Sequence, residues 1–124
     1  MRIGGVQLKI MRVLWDEGEA TAKRIGEVLS AESAMAHSTV QTLLRQLEAK
    51  GAVGHEKQER TFVFRPLIKE SEISRSAAQD LLSRVFRGSV SGLVAHLLDS
   101  EEVSPEEMKL LKQIVEEKSK EVKS

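Results

Sequence analysis

Residues 36–51, AHSTVQTLLRQLEAKG, constrain the chain more than any other stretch, because start, stop and facing are all written into them. Ser38 followed by Gln41 has the form of a capping box, in which each side chain satisfies an orphan backbone N–H. Gly51 lies just past the last charged turn, where a helix commonly closes in the left-handed conformation that glycine adopts cheaply. Between these signals Val40, Leu43, Leu44 and Leu47 fall at i, i+3, i+4 and i+7, a single apolar stripe. The opposite face carries Ser38, Thr42, Arg45 and Ala49, flanked by Thr39, Gln41 and Gln46. A solvated face would be richer in Glu and Lys. Hydroxyls, amides and one arginine are what reading base edges in a major groove requires, while the plain alternative is an ordinary polar surface.

The next residues weigh on that choice. Two β-prone runs, 52–55 and 61–65, flank a charged tip at 56–60. The pattern predicts a hairpin with a loop longer than two residues, since no Asn-Gly or Asp-Gly pair is present. Phe62 and Phe64 share one face by the period of two and are expected to pack on the helices. Pro66 ends the second strand. A helix with a polar outer face followed directly by a charged-tip hairpin is the order of a winged helix-turn-helix.

The segments before it complete that unit. Residues 6–17 are apolar on more than one side and stop at Gly18, which predicts a largely buried first helix. Thr21 is placed to cap a second helix with Ile25, Val28 and Leu29 inward. Gly26 in its middle costs about 1 kcal/mol relative to Ala, so a close helix contact is expected there. Residues 30–37 form the turn into the third helix. The fold class expected is mostly α with a small β-hairpin: a winged helix-turn-helix at 1–68, then a helical dimerisation region at 69–124.

That second region has a different character. Ile73, Ala77, Leu81, Leu82, Val85 and Phe86 mark a long amphipathic helix closed by Gly88. Val90, Leu93, Val94, Leu97 and Leu98 mark a short one. Ser104-Pro105-Glu106-Glu107 is a strong helix start, with Ser as cap, Pro at the first position and Glu at the third. Met108, Leu111, Ile114 and Val115 line the last helix, and its tail from residue 116 is expected to fray. Three helices with one Phe and no Trp or Tyr make a thin core for a lone domain. Two copies burying these stripes against each other resolve the shortage, giving a homodimer. Folding back onto the first domain is the alternative.

Composition closes off other classes. The 124 residues hold no cysteine, hence no disulfide framework and no thiolate metal site. No run approaches the length of a transmembrane helix and no leader opens the chain, so no membrane insertion and a cytoplasmic location are expected. Residues 1–68 carry 10 Lys and Arg against 8 Asp and Glu, and residues 69–124 carry 9 against 11. The sign suits a nucleic-acid-facing first half, although the asymmetry is small. His37, His55 and His96 lie on three separate elements without the spacing of metal ligands, so no metal and no cofactor are expected. No nucleophile–base pair, phosphate loop or paired-carboxylate pattern appears, and no enzymatic activity is expected.

Three strings, QLKIMRVLWDEGEATAKRI, HSTVQTLLRQLEAKGAV and RTFVFRPLI, together resemble the penicillinase-repressor (BlaI/MecI/CopY) family. SVSGLVAHLL and SPEEMKLL resemble that family's dimerisation region, so the likeness spans nearly the whole chain. The resemblance implies a bacterial transcriptional repressor whose dimer sets two recognition helices in successive major grooves of an inverted-repeat operator. It implies DNA contacts from His37, Ser38, Thr39, Gln41, Thr42 and Arg45, and from Lys57 and Arg60 at the hairpin tip. The family's C-terminal helices interlock as a dimer interface, in agreement with the apolar stripes, which predict an interface of Ile73, Leu81, Leu82, Val85, Phe86, Leu93, Val94, Leu97, Leu98, Leu111, Ile114 and Val115.

The chain departs from the family's patterns at two points. It lacks the cysteine cluster of the copper-responsive branch, which excludes copper sensing by thiolates. The β-lactam branch is cleaved at an Asn-Phe bond by a membrane-bound sensor protease; the corresponding stretch here, residues 93–98, has no such pair, and the matching position is His96-Leu97.

Several of these residues also have a plainer reading. Arg45 can grip guanine O6 and N7, or pair with Glu48 on its own helix. Thr39 and Thr42 can touch a thymine methyl or a phosphate, or serve local capping. Lys57 and Arg60 can meet phosphates, or sit solvated beside Glu56 and Glu59. The rival function from another class is a winged-helix protein-interaction module, which would be expected to expose aromatics or Leu on the outer face.

Overall fold

The computed structural model describes residues 1–32 and 34–123. Its elements run α1 (Gly5–Glu17), β1 (Ala20–Thr21), α2 (Ala22–Leu29), α3 (His37–Ala49), β2 (Val53–Gln58), β3 (Thr61–Pro66), α4 (Glu70–Val85), α5 (Val90–Ser100) and α6 (Pro105–Lys123). Two compact units divide within α4, the first covering Met1–Asp80 and the second beginning at Leu81.

In the first unit the apolar stripes of three helices meet. Ile10, Met11 and Leu14 of α1, Ile25 and Leu29 of α2, and Val40, Leu44 and Leu47 of α3 form the buried core, closed by Ala52 and Val53. Phe64 and Ile68 pack against it. Trp15 donates its indole N–H to the carbonyl of Ile68 at 2.9 Å, tying α1 to the segment after the hairpin. Thr21 caps α2 as expected, its hydroxyl accepting from the Arg24 N–H at 3.1 Å. Gly51 closes α3 with φ 82°. Its N–H donates to Glu48 O at 3.0 Å and that of Ala52 to Leu47 O at 2.9 Å, the paired bonds of a Schellman turn.

Several expectations give way in this unit. The helix carrying the polar face starts at His37 with Ala36 at its N-cap and no side-chain cap, so Ser38 is a second-position residue and not the cap. Its carbonyl instead accepts from the Thr42 hydroxyl at 2.9 Å. The hairpin ladder runs further than anticipated, to Gln58 opposite Thr61, leaving a two-residue loop of Glu59 and Arg60. Glu59 takes φ 59°, so a non-glycine residue accepts the left-handed geometry that sequence alone would reserve for Asn or Gly. A third strand, unanticipated, completes the sheet in the order β1-β3-β2, with Ala20 opposite Phe64 and Thr21 opposite Val63. Gly26 makes no close contact: a Cβ there would meet nothing within 4 Å. Phe62 does not pack on the helices; it is 49% exposed.

In the second unit Ser89 caps α5, accepting from the Gly92 N–H at 2.9 Å, and Ser104 caps α6, accepting from the Glu107 N–H at 3.1 Å. The tail is helical rather than frayed as far as Lys123, with Lys118 and Glu121 paired at 3.2 Å; Ser124 lies outside the described residues. No described residue of this unit is buried. Leu81, Val85, Val94, Leu97, Leu98, Ile114 and Val115 are exposed in the single chain, and Leu82, Phe86, Leu93 and Leu111 are half-buried. Ile73, half-buried, belongs to the first unit. Among the described residues no helix is long and apolar enough to cross a membrane.

Candidate nucleic-acid interface

The apolar stripe of α3 faces the core, which forces the other face outward: His37, Ser38, Thr39, Gln41, Thr42 and Arg45 are all exposed. Thr42 spends its hydroxyl proton on Ser38 O and accepts from Arg45 Nη2 at 3.2 Å. The Thr42 oxygen thus steadies the guanidinium. Arg45 has no carboxylate partner among the described residues. Glu48, the partner that helical spacing suggested, is engaged elsewhere: its Oε1 meets His55 Nδ1 on β2. The contrast with Arg24 is instructive. That guanidinium grips both oxygens of Glu17, at 3.0 and 3.1 Å. The hydrogen bonds and charge of Glu17 hold its pKa above the usual arginine value. Arg24 is committed within the fold; the remaining donors of Arg45 are available for a ligand.

Between α3 and the hairpin lies an open cleft of about 770 Å³. His37, Gln41 and Arg45 line it from the helix and Arg60 from the hairpin tip. Ser38, Thr39 and Thr42 are exposed on α3 outside the cleft lining. Lys57 is not at the tip; it stands on β2 directly opposite Phe62, exposed. Among the other residues of the cleft lining, to which sequence reading gave no part in binding, are Lys23 at the start of α2, Glu48, His55 and Phe62. The period of two placed Phe62 and Phe64 on one face of β3, but no spacing along the chain marks the contact between Glu48 and His55. Three cations, Lys23, Arg45 and Arg60, thus meet one carboxylate that His55 already engages. The cleft suits an anionic ligand with hydrogen-bonding edges.

His96 and Leu97 lie in the middle of α5, both exposed, with the His96 ring edge-on to Phe86 at 5.9 Å. Among the described residues no group of three or more His, Cys, Asp or Glu is arranged to hold a metal ion.

Comparison with known proteins agrees with this geometry. The penicillinase repressor of Bacillus licheniformis is 33% identical over 116 residues, covering 94% of this chain and 91% of its own. The methicillin resistance regulatory protein MecI of Staphylococcus aureus is 25% identical over 116 residues, covering 94% of each. Among solved structures, the monomeric form of Bacillus licheniformis BlaI in complex with the blaP half-operator aligns with a TM-score of 0.51 at 35% identity. That alignment covers 58% of this chain and 88% of the other. The family model described as Penicillinase repressor matches residues 3–117. A winged helix-turn-helix with an exposed polar face on α3, in a chain that the family model matches along nearly its whole length, makes this chain a member of the penicillinase repressor family.

Proposed function

We propose that this chain is a dimeric transcriptional repressor that binds an inverted-repeat DNA operator through α3 and the β2–β3 wing. The observation that carries the reading is the state of α3: a fully exposed face of hydroxyls and amides around Arg45, whose guanidinium is steadied by Thr42 and, among the described residues, paired with no carboxylate. Such a fork is free to bond guanine O6 and N7, while Arg60 and Lys57 supply phosphate contacts that carry no sequence information. A relative's protomer bound to a half-operator supports assigning one half-site to each copy.

Dimerisation is supported by the second unit, in which no described residue is buried although the end of α4, α5 and α6 carry wide apolar stripes. A second copy covers those stripes and fixes the two recognition helices at one spacing, about one helical turn of DNA or a multiple of it. Relief of repression by a membrane-bound sensor protease belongs to the same reading. The His96–Leu97 bond sits within a helix, so it becomes a substrate only when that turn of α5 unwinds.

Selection of binding sites from a random duplex pool with the full chain tests the proposal. Enrichment of an inverted repeat is expected. No enrichment would overturn sequence-specific binding, and an enriched site without symmetry would overturn the dimeric mode.

A further inference from the structure

We infer that Phe62 is a DNA contact, its ring packing on the apolar C–H surface of the duplex while the cations beside it hold phosphates. The inference rests on the DNA-binding reading above and extends it to a residue of a different chemical type.

Phe62 and Phe64 lie on the same face of β3, yet they are treated differently. Phe64 packs against the core, whereas Phe62 stays 49% exposed. The exposed ring is also held in place. His55 meets it edge-on, with centroids 5.0 Å apart and planes at 77°. His55 in turn rests on Phe64 at 5.6 Å and is anchored by Glu48 from α3. A row of contacts thus runs from the recognition helix across the wing and ends on an aromatic ring with one side open.

Single exposed hydrophobics are common and need no explanation by themselves. The surroundings of this one select an occupant. Arg60 adjoins it in the cleft lining, and Lys57 stands directly opposite it in the strand register. Arg45 and Lys23 line the same cleft, whose one carboxylate already holds His55. A surface of this kind fits a polyanion that also offers apolar C–H groups. Duplex DNA offers two, the deoxyribose edges and the thymine C5-methyl, and an aromatic side chain suits either.

The test uses the full chain and a duplex recovered from a random pool by the same protein, with affinity measured across a salt series. Phe62→Ala should weaken binding about tenfold per half-site, the worth of covering the open side of one aromatic ring. The slope of log affinity against log salt should stay unchanged, because no phosphate loses its cation. Arg60→Ala should lower that slope. Phe62→Leu should bind nearly as the parent and Phe62→Gln should not, a comparison at similar volume that survives any disturbance of the wing by alanine. Replacing thymine by uracil in the duplex separates the two surfaces: a Phe62→Ala deficit that vanishes assigns the thymine methyl, and one that persists assigns the sugar. Equal affinities for the parent, Phe62→Ala and Phe62→Gln at every salt concentration would overturn the inference and leave Phe62 as a docking point for a protein. A parent chain that shows neither enrichment nor salt-dependent duplex binding would instead overturn the function on which it rests.

Discussion

Gln7 on α1 donates from Nε2 to Oε1 of Gln46 on α3 across 3.0 Å. Its own Oε1 accepts from Lys50 Nζ at 2.8 Å and from the Gly4 N–H at 3.1 Å. Gln7 is itself buried. Burial of Val40, Leu44 and Leu47 sets which face of α3 turns inward, but apolar contacts carry no directional preference of their own. Hydrogen bonds do. The Gln7–Gln46 and Gln7–Lys50 bonds therefore add directional ties between α1 and the C-terminal end of α3, whose facing the buried stripe already sets.

Replacing that amide should be felt in stability first. Gln7→Leu removes the bonds to Gln46, Lys50 and Gly4, whose exposed groups turn to water, so a destabilisation of about 1 kcal/mol is expected. Urea unfolding measures it. A midpoint equal to the parent's would show that the network does not hold α3.

Arg45→Ala should weaken binding to the selected operator more than to random duplex, by about 1–3 kcal/mol per half-site for a lost bidentate base contact. Competition between the two duplexes reads the difference directly. An unchanged preference would mean that Arg45 meets phosphate.

Gly26→Ala should stabilise the first unit by about 0.5–1 kcal/mol, since the glycine lies in the interior of α2 and the added methyl meets nothing within 4 Å. The chemical-denaturation midpoint should rise. A fall would reveal a steric constraint at that position.

Ile114 is 55% exposed in the single chain, so Ile114→Asp should leave each copy folded and still separate the dimer, because the charge would be stranded in a desolvated interface. Sedimentation velocity at roughly tens of micromolar reports the state, since assembly depends on protomer concentration. A persistent dimer would place the interface elsewhere.

Fragment 1–96 should keep the winged helix folded, because every buried core residue lies between Ile10 and Val53. It should nevertheless bind the full operator weakly. Two half-sites engaged by one dimer gain an effective concentration that separate wings lack, typically ~100-fold or more in avidity. Titration of the fragment onto the operator checks this, and an affinity equal to the parent's would show that the helices beyond the cut do not govern binding.

The sequence by itself determined the helical content and order, the inward stripes, the Thr21, Ser104 and Gly51 termini and the polar outward face of α3. Each of these is encoded within one turn or one period of the chain, so local physics suffices. It also carried the family strings. What only the tertiary structure decided lies between elements. β1 is two residues long and exists because β3 lies beside it, so no local pattern could mark it. Glu59 enters the left-handed region because the ladder runs on to Gln58 and Thr61, overriding its own preference. Gln41 sits four residues before Arg45, and the fold brings both to one cleft with Arg60 of the wing. Glu48 looked like the natural partner of Arg45 at helical spacing, and His55 takes it instead. That exchange frees the guanidinium for a ligand, and it happens because β2 passes within reach of α3, a distance that no spacing along the chain records.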